Sequence, residues 1–164
     1  MTNSLALNGR ISGTGGLIKT GAGTLFVNDI TNSYSGDTWV KEGTLVIADG
    51  AALGQSANLQ LNGGTLANTL ATSIKQNVAV TDRGTLDVLD TLTLNGDLSG
   101  SGGLIKKGIG KLVLEGASTY TGTTRVDEGE LSGTATSLAG TITVAEASRI
   151  TFDQQQATVR LPVA

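Results

Sequence analysis

Apolar residues alternate along this chain, two positions apart, in many short bursts. Leu5-x-Leu7, Leu25-x-Val27, Leu45-x-Ile47, Leu59-x-Leu61, Val78-x-Val80, Leu86-x-Val88, Leu92-x-Leu94, Leu112-x-Leu114 and Ile142-x-Val144 all follow this rule. A period of two puts alternate side chains on one face of a strand. Gly, Asn, Asp, Ser and Thr fill the gaps and supply turns. Helical periodicity is hard to find, so the chain reads as all-β.

A slower beat overlies the fast one. The phrase Gly-Thr-Leu stands at Gly23, Gly43, Gly64 and Gly84, spaced by 20, 21 and 20 residues. Two architectures compete to explain it. Asn8-Gly9, Asn62-Gly63 and Asn95-Gly96 follow apolar alternations, and Asn-Gly is a strong hairpin signal. That predicts an antiparallel meander or sandwich. Hairpins, however, would return about every 8–12 residues. A coil of about 20 residues holding two or three short strands is one rung of a parallel β-helix, and the beat favours this solenoid, with seven or eight rungs. Leu25, Leu45, Leu66 and Leu86 should then form one interior column. Val27, Ile47 and Val88 should form the next, with Asn68 as its odd member. Gly-Thr-Leu becomes a coil corner: Gly turns with positive φ, Thr faces out and Leu enters the core.

A longer repeat covers both beats. Residues 5–25, LALNGRISGTGGLIKTGAGTL, return at 92–112 as LTLNGDLSGSGGLIKKGIGKL. Across residues 5–29, 14 of 25 positions are identical at a shift of 87. Residues 34–45 then return at 120–131, one residue closer. The chain reads as one β-helix segment, 1–164, with copies at 5–91 and 92–164, the second shortened.

The shared unit is G-x-G-x-L-x-K-x-G-x-G-x-L followed by Y-x-G-x-T-x-V-x-x-G-x-L. Copy one runs Gly13, Gly15, Leu17, Lys19, Gly21, Gly23, Leu25, then Tyr34, Gly36, Thr38, Val40, Gly43, Leu45. Copy two runs Gly100, Gly102, Leu104, Lys106, Gly108, Gly110, Leu112, then Tyr120, Gly122, Thr124, Val126, Gly129, Leu131. Lys111 and Glu130 replace the threonines seen at Thr24 and Thr44. The unit closely resembles the passenger-associated transport repeat of bacterial autotransporters, the type V secretion proteins. The resemblance implies a right-handed parallel β-helix. It implies an extracellular or cell-surface location, outer-membrane-associated or secreted, on a Gram-negative bacterium. It also implies a partner in the same polypeptide, a C-terminal membrane barrel. In many relatives the working part, an adhesin or a protease, lies elsewhere on the chain.

Composition narrows the chemistry. Aromatics are 3 % against 38 % hydrophobic residues, so the core must be stacked aliphatics. Cysteine and histidine are absent, which removes disulfides, thiol metal sites and the commonest general base. Within this chain that excludes Ser-His-Asp, Cys-His and His-ligated zinc schemes. The net charge is −3 without a basic cluster, so no nucleic-acid partner is expected. No run of 18 apolar residues exists to span a membrane as a helix. The Gly-rich segments fail as a P-loop: Lys111 follows Gly110, but Ile105 stands where the first Gly is needed and Leu112 where a hydroxyl is needed. Neither Gly15-Gly16 nor Gly102-Gly103 is followed by the Gly-x-Asp of a calcium nonapeptide. The carboxylates are dispersed; Asp29 and Asp49, one rung apart, illustrate the pairs that chance supplies. No cofactor and no enzyme activity are expected.

One candidate surface residue stands out. Alternation at Thr38-Trp39-Val40 sends Trp39 outward, either as a platform for a sugar or protein or packed on a neighbouring rung. Three functions follow: a scaffold that supports translocation and presents other regions, an adhesin-type module contacting a host or cell-surface glycan or protein, or a glycan-active enzyme. The ends invite a further expectation. Met1-Thr2-Asn3 leads straight into the repeat, as in a fragment of something longer. Residues 1–10 would offer a bare edge for weak end-to-end self-association, while Ile150–Ala164, with Pro162, drifts out of the motif toward a terminating strand.

Overall fold

A computed structural model describes residues 3–153. The predicted capping role of Pro162 lies outside the described residues. The described residues form eighteen short strands, β1 to β18, wound into three faces. The widest face stacks eight: β1 (Ser4–Leu7), β3 (Thr24–Val27), β5 (Thr44–Ile47), β7 (Thr65–Asn68), β10 (Arg83–Val88), β13 (Gly103–Lys107), β15 (Thr123–Val126) and β17 (Thr141–Val144). A second face stacks β2 (Leu17–Lys19), β4 (Thr38–Val40), β6 (Asn58–Leu61), β9 (Asn77–Val80) and β12 (Leu98–Ser99). The third stacks β8 (Thr72–Ile74), β11 (Leu92–Leu94), β14 (Lys111–Leu114), β16 (Glu130–Gly133) and β18 (Arg149–Phe152).

Every strand pairing among the described residues is parallel, each strand bonding to its counterpart one coil away. This is a β-solenoid of about seven turns, and the antiparallel alternative is overturned. The Asn-Gly dipeptides occupy corners: Asn8-Gly9 follows β1, Asn62-Gly63 follows β6 and Asn95-Gly96 follows β11. Gly63 has φ of 104°, the turn-forming geometry that the hairpin rule detects, used here between faces of one coil.

The interior columns follow the predicted register. Leu5, Leu25, Leu45, Leu66 and Leu86 lie over one another on the wide face. Leu45, Leu66 and Leu86 are fully buried, and burying each contributes about 2 kcal/mol. The column then continues through Lys106 and Val126, so a charged residue takes the place after the leucines. Beside it run Val27, Ile47, Asn68 and Val88. Asn68 is completely buried and donates Nδ2 to the Leu70 carbonyl at 2.8 Å. Leu5, at the open edge of the wide face, is 61 % exposed.

The glycine of Gly-Thr-Leu needs a different explanation from the predicted one. Only Gly43 of the four has positive φ, at 66°. At the others a side chain would strike the preceding coil. A Cβ on Gly64 would lie 2.6 Å from Val40 Cγ1, and one on Gly84 would lie 2.7 Å from Leu61 Cβ. One on Gly23 would overlap the Asn3 carbonyl. Close approach of stacked coils, more than turn conformation, selects glycine there.

The duplication has a geometric consequence. Four turns from Leu25 through Leu45, Leu66 and Leu86 to Lys106 take 81 residues, and 6 more carry the chain round one corner to Leu112. The 87-residue shift is therefore four turns plus one face. Copy one lays Lys19 on the second face and Leu25 on the wide face; copy two lays Lys106 on the wide face and Leu112 on the third. The long connection after each motif moves with it. In copy one, residues 28–37 leave the third face without a strand; in copy two, residues 115–122 interrupt the second face, save for one bridge between Leu98 and Ser118. Residues 8–16 and 48–57 likewise give the third face no strand, and residues 134–140 give the second face none, so the third face begins only at β8 and the second ends at β12.

Replacing Leu45 by Asp puts an unpaired carboxylate in the middle of the leucine column. The expected loss is roughly 4 kcal/mol or more, read as a large fall in Tm. An unchanged Tm would contradict the register.

Candidate functional site

The motif lysines point inward. In Leu17-Ile18-Lys19 and Leu104-Ile105-Lys106, alternation places each lysine on the same side as its leucine. Lys19 is 6 % exposed and Lys106 is fully buried. An ammonium can enter an aliphatic column only if its three donors are met, and both corners meet them. Lys106 Nζ donates to the carbonyls of Gly108 at 2.6 Å, Lys107 at 2.9 Å and Glu128 at 3.0 Å. Lys19 Nζ donates to those of Gly21 at 2.5 Å, Thr20 at 3.0 Å and Glu42 at 2.9 Å. Two acceptors belong to the lysine's own corner and the third to the corner of the next coil. Each lysine is thus a clamp between successive coils, repeated in both copies on different faces.

The corners are shaped for the clamp. Gly21 and Gly108 have φ of 75°, and Gly43 and Gly129, in the coil above, have 66° and 71°. These left-handed corners turn the carbonyls toward the ammonium. A Cβ on Gly43 would sit 2.6 Å from Lys19 Nζ, so glycine there also leaves room for the cation. Burial pushes the Lys106 ammonium down to about 8, while the Asp87 and Glu128 charges act in the opposite sense.

The motif tyrosines fill the connection after each clamp. Tyr34 and Tyr120 are 1 % and 2 % exposed. Tyr34 hydroxyl pairs with Thr38 Oγ1 at 2.8 Å. Tyr120 hydroxyl lies 2.5 Å from the Gly102 carbonyl of the preceding coil and 2.9 Å from that of Thr123. Burial raises both phenols above their ordinary range. The two departures from the motif also resolve. Lys111 and Glu130 are register partners, as Thr24 and Thr44 are in copy one. They form an ion pair at 3.2 Å, and Thr151 Oγ1 donates to Glu130 Oε1 at 2.8 Å. Those contacts, the hydroxyl foremost, hold the Glu130 carboxyl below its ordinary value.

Trp39 is half-buried on the outside of β4, between Ile18 and Gln60 in register, with Lys41 Nζ 5.4 Å from its ring centroid. It has neighbours on its own and adjacent rungs, and it does not join the clamps. Asp29 and Asp49 are each engaged with their own turns. Asp29 Oδ1 accepts from the amide and hydroxyl of Thr31, which hold its carboxyl below the ordinary value, and Asp49 Oδ1 accepts from the Ala51 amide at 2.8 Å. The sequence reading treated Lys19 and Lys106 only as motif letters. The signal that locates them was present: each stands two residues after an inward leucine.

Comparison with known proteins fits this architecture. The passenger-associated-transport-repeat family matches at residues 17–47 and 104–132, the segments that hold each clamp and the corner above it. The adhesin BmaC autotransporter of Brucella suis biovar 1 is 40 % identical over 143 residues, 85 % of this chain and 4 % of that protein. An extracellular serine protease of Serratia marcescens is 53 % identical over 58 residues, 35 % of this chain and 5 % of its own length. A second extracellular serine protease match in that organism is 69 % identical over 35 residues, 21 % of this chain and 3 % of its own. No solved structure matches the chain. The chain therefore carries two passenger-associated transport repeats and is a β-helical segment of an autotransporter passenger, spanning a few per cent of the length of these relatives.

Two outcomes test the clamp. Lys106→Met keeps the stem but leaves three carbonyls without their donor, costing about 1–3 kcal/mol. The second is a pH profile. The folded state releases the Lys106 proton near 8 while the unfolded chain holds it to about 10.5. Between these values the unfolded state binds more protons, so unfolding free energy should rise with pH. Above about 10 the two buried tyrosines oppose this, because the unfolded chain loses their protons first. Denaturant titrations from pH 7.5 to 9.5 should show the upward slope, and Lys106→Met should flatten it.

Proposed function

We propose that this autotransporter passenger segment is a non-catalytic scaffold that supports translocation and carries other regions of a longer secreted or surface protein. One observation supports the reading above all: each lysine clamp ties the carbonyls of its own corner to the corner of the next coil, and the clamp is repeated in both motif copies. Such a device lets a newly wound coil lock onto the one beside it. The parallel ladders are likewise contacts between neighbouring coils, so the segment can grow coil by coil. The remainder of the polypeptide, with a C-terminal membrane barrel, is the partner this role requires. The relatives, an autotransporter adhesin and extracellular proteases, support a surface or secreted location. The different activities printed in their names also favour a shared scaffold over a shared chemistry.

The test uses the full-length protein on the bacterial surface. Lys19→Met with Lys106→Met, and separately Leu45→Asp, should cut the amount of passenger reached by external protease several-fold. Barrel insertion, read by heat-modifiable mobility, should stay the same. Normal display of both variants would remove the translocation role.

A further inference from the structure

The stretch that leaves the third face without strands in the early coils builds something instead. After β5 the chain makes a 3-10 turn, Gly50–Leu53, capped by Asp49, and continues irregularly to β6. With residues 30–32 below and β8 above, this segment forms a groove of about 510 Å³, within the range of small-ligand clefts, about 300–1,000 Å³. Ser56 and Gln76 line it, and each is only 6 % exposed. Ser56 Oγ and Gln76 Oε1 have no hydrogen-bond partner in the protein. Buried polar atoms are nearly always partnered. The neighbouring Asn32 obeys that rule: its Nδ2 donates to the Ala52 carbonyl at 2.8 Å and its Oδ1 accepts from the Ile11 amide at 2.7 Å. Asn68 Oδ1 and Ser148 Oγ are unmet as well, but each lies apart from this groove, whereas Ser56 and Gln76 line it together.

We propose that this groove binds a neutral, hydroxyl-rich ligand, a saccharide unit. The Gln76 amide offers an acceptor in Oε1 and donors in Nε2, so it suits a ligand whose groups both donate and accept. Ser56 can donate or accept, as a sugar hydroxyl can in return. The formal charges in the wall, Asp49 and Lys75, cancel and give neither an anion nor a cation a net attraction. Ile30, 59 % exposed, supplies an apolar edge for the C–H face of a sugar ring. The wall has no aromatic platform, so binding is weak, on the order of millimolar. This goes beyond the scaffold reading and is independent of it: binding is measured on the isolated segment, secretion on the cell.

The experiment is an NMR titration of ¹⁵N-labelled protein with lactose, maltotriose and chitotriose. At least one sugar should give saturable shifts centred on residues 49–56 and 73–76. Ser56→Ala and Gln76→Leu should each weaken binding at least tenfold. Because each removes an atom that has no partner in the protein, neither should lower Tm, whereas loss of a structural hydrogen bond would. Trp39→Ala, on another face, should leave the affinity unchanged. The proposal is overturned if no sugar moves these amides up to about 50 mM, or if both groove variants bind as the parent does. It is also overturned if Trp39→Ala abolishes the shifts. Should Gln76→Leu fail to fold, Ser56→Ala alone decides.

Discussion

Every feature of this molecule answers to one constraint: each coil must lie in register on the last, strand over strand, with no room between them. The spacing of parallel neighbours, about 4.8 Å, is set by backbone hydrogen bonds. Side chains adapt to that spacing. Along the inside, like stacks on like, which is why leucine meets leucine from Leu25 to Leu86 and why so few aromatics suffice. At the corners the same spacing leaves no space for a Cβ at several positions. The glycines at 23, 64 and 84 are products of crowding between coils, that at 21 of turning alone, and those at 43, 108 and 129 of both.

The lysine clamp is the corner solution to the same constraint. A solenoid corner leaves carbonyls that no strand partner reaches, and its glycines offer no side chains to meet them. Thr20, Gly21, Glu42, Lys107 and Glu128 are exposed at these corners, yet their carbonyls are met by a lysine whose stem lies in the core. An ammonium reaching from inside supplies three donors to three carbonyls at once and joins two coils in doing so. It carries a desolvation cost, seen in the lowered Lys106 value, and a half-satisfied site would be worse than an apolar one. The arrangement is preserved as a unit: lysine, two glycines of its own corner, and the glycine of the next.

Much of this was legible in the sequence, and the losses have physical reasons. Alternation gave the strands, and the 20-residue beat gave the coil length and the column Leu25, Leu45, Leu66, Leu86. Asn68 was correctly placed as an odd core member. Asn-Gly could not by itself separate hairpin from corner, because both need the same local backbone. In Gly-Thr-Leu the glycine turns with positive φ at Gly43 as expected, but at Gly23, Gly64 and Gly84 the cause is steric contact with a residue about 20 positions away, which has no local signature. The groove was invisible on the same ground. Ser56 and Gln76 belong to different coils, and nothing in either segment marks its polar atom as unmet.

The rotation of the two copies shows how far sequence repetition and structural repetition can part. An 87-residue repeat that completed whole turns would stack copy two on the faces of copy one, and the irregular connections would fall on one side. Four turns and one face instead carry the second connection round the corner. Lys106 then enters the column that Leu86 closes, and the interruption that shortens the third face early shortens the second face late. The third face lacks strands only in the early coils and the second only in the late ones, while the wide face is continuous: its ladder runs from β1 to β17. A segment whose weak points are distributed round its axis keeps at least two paired faces through most of its length. That is a mechanical property, and it suits the scaffold role proposed above.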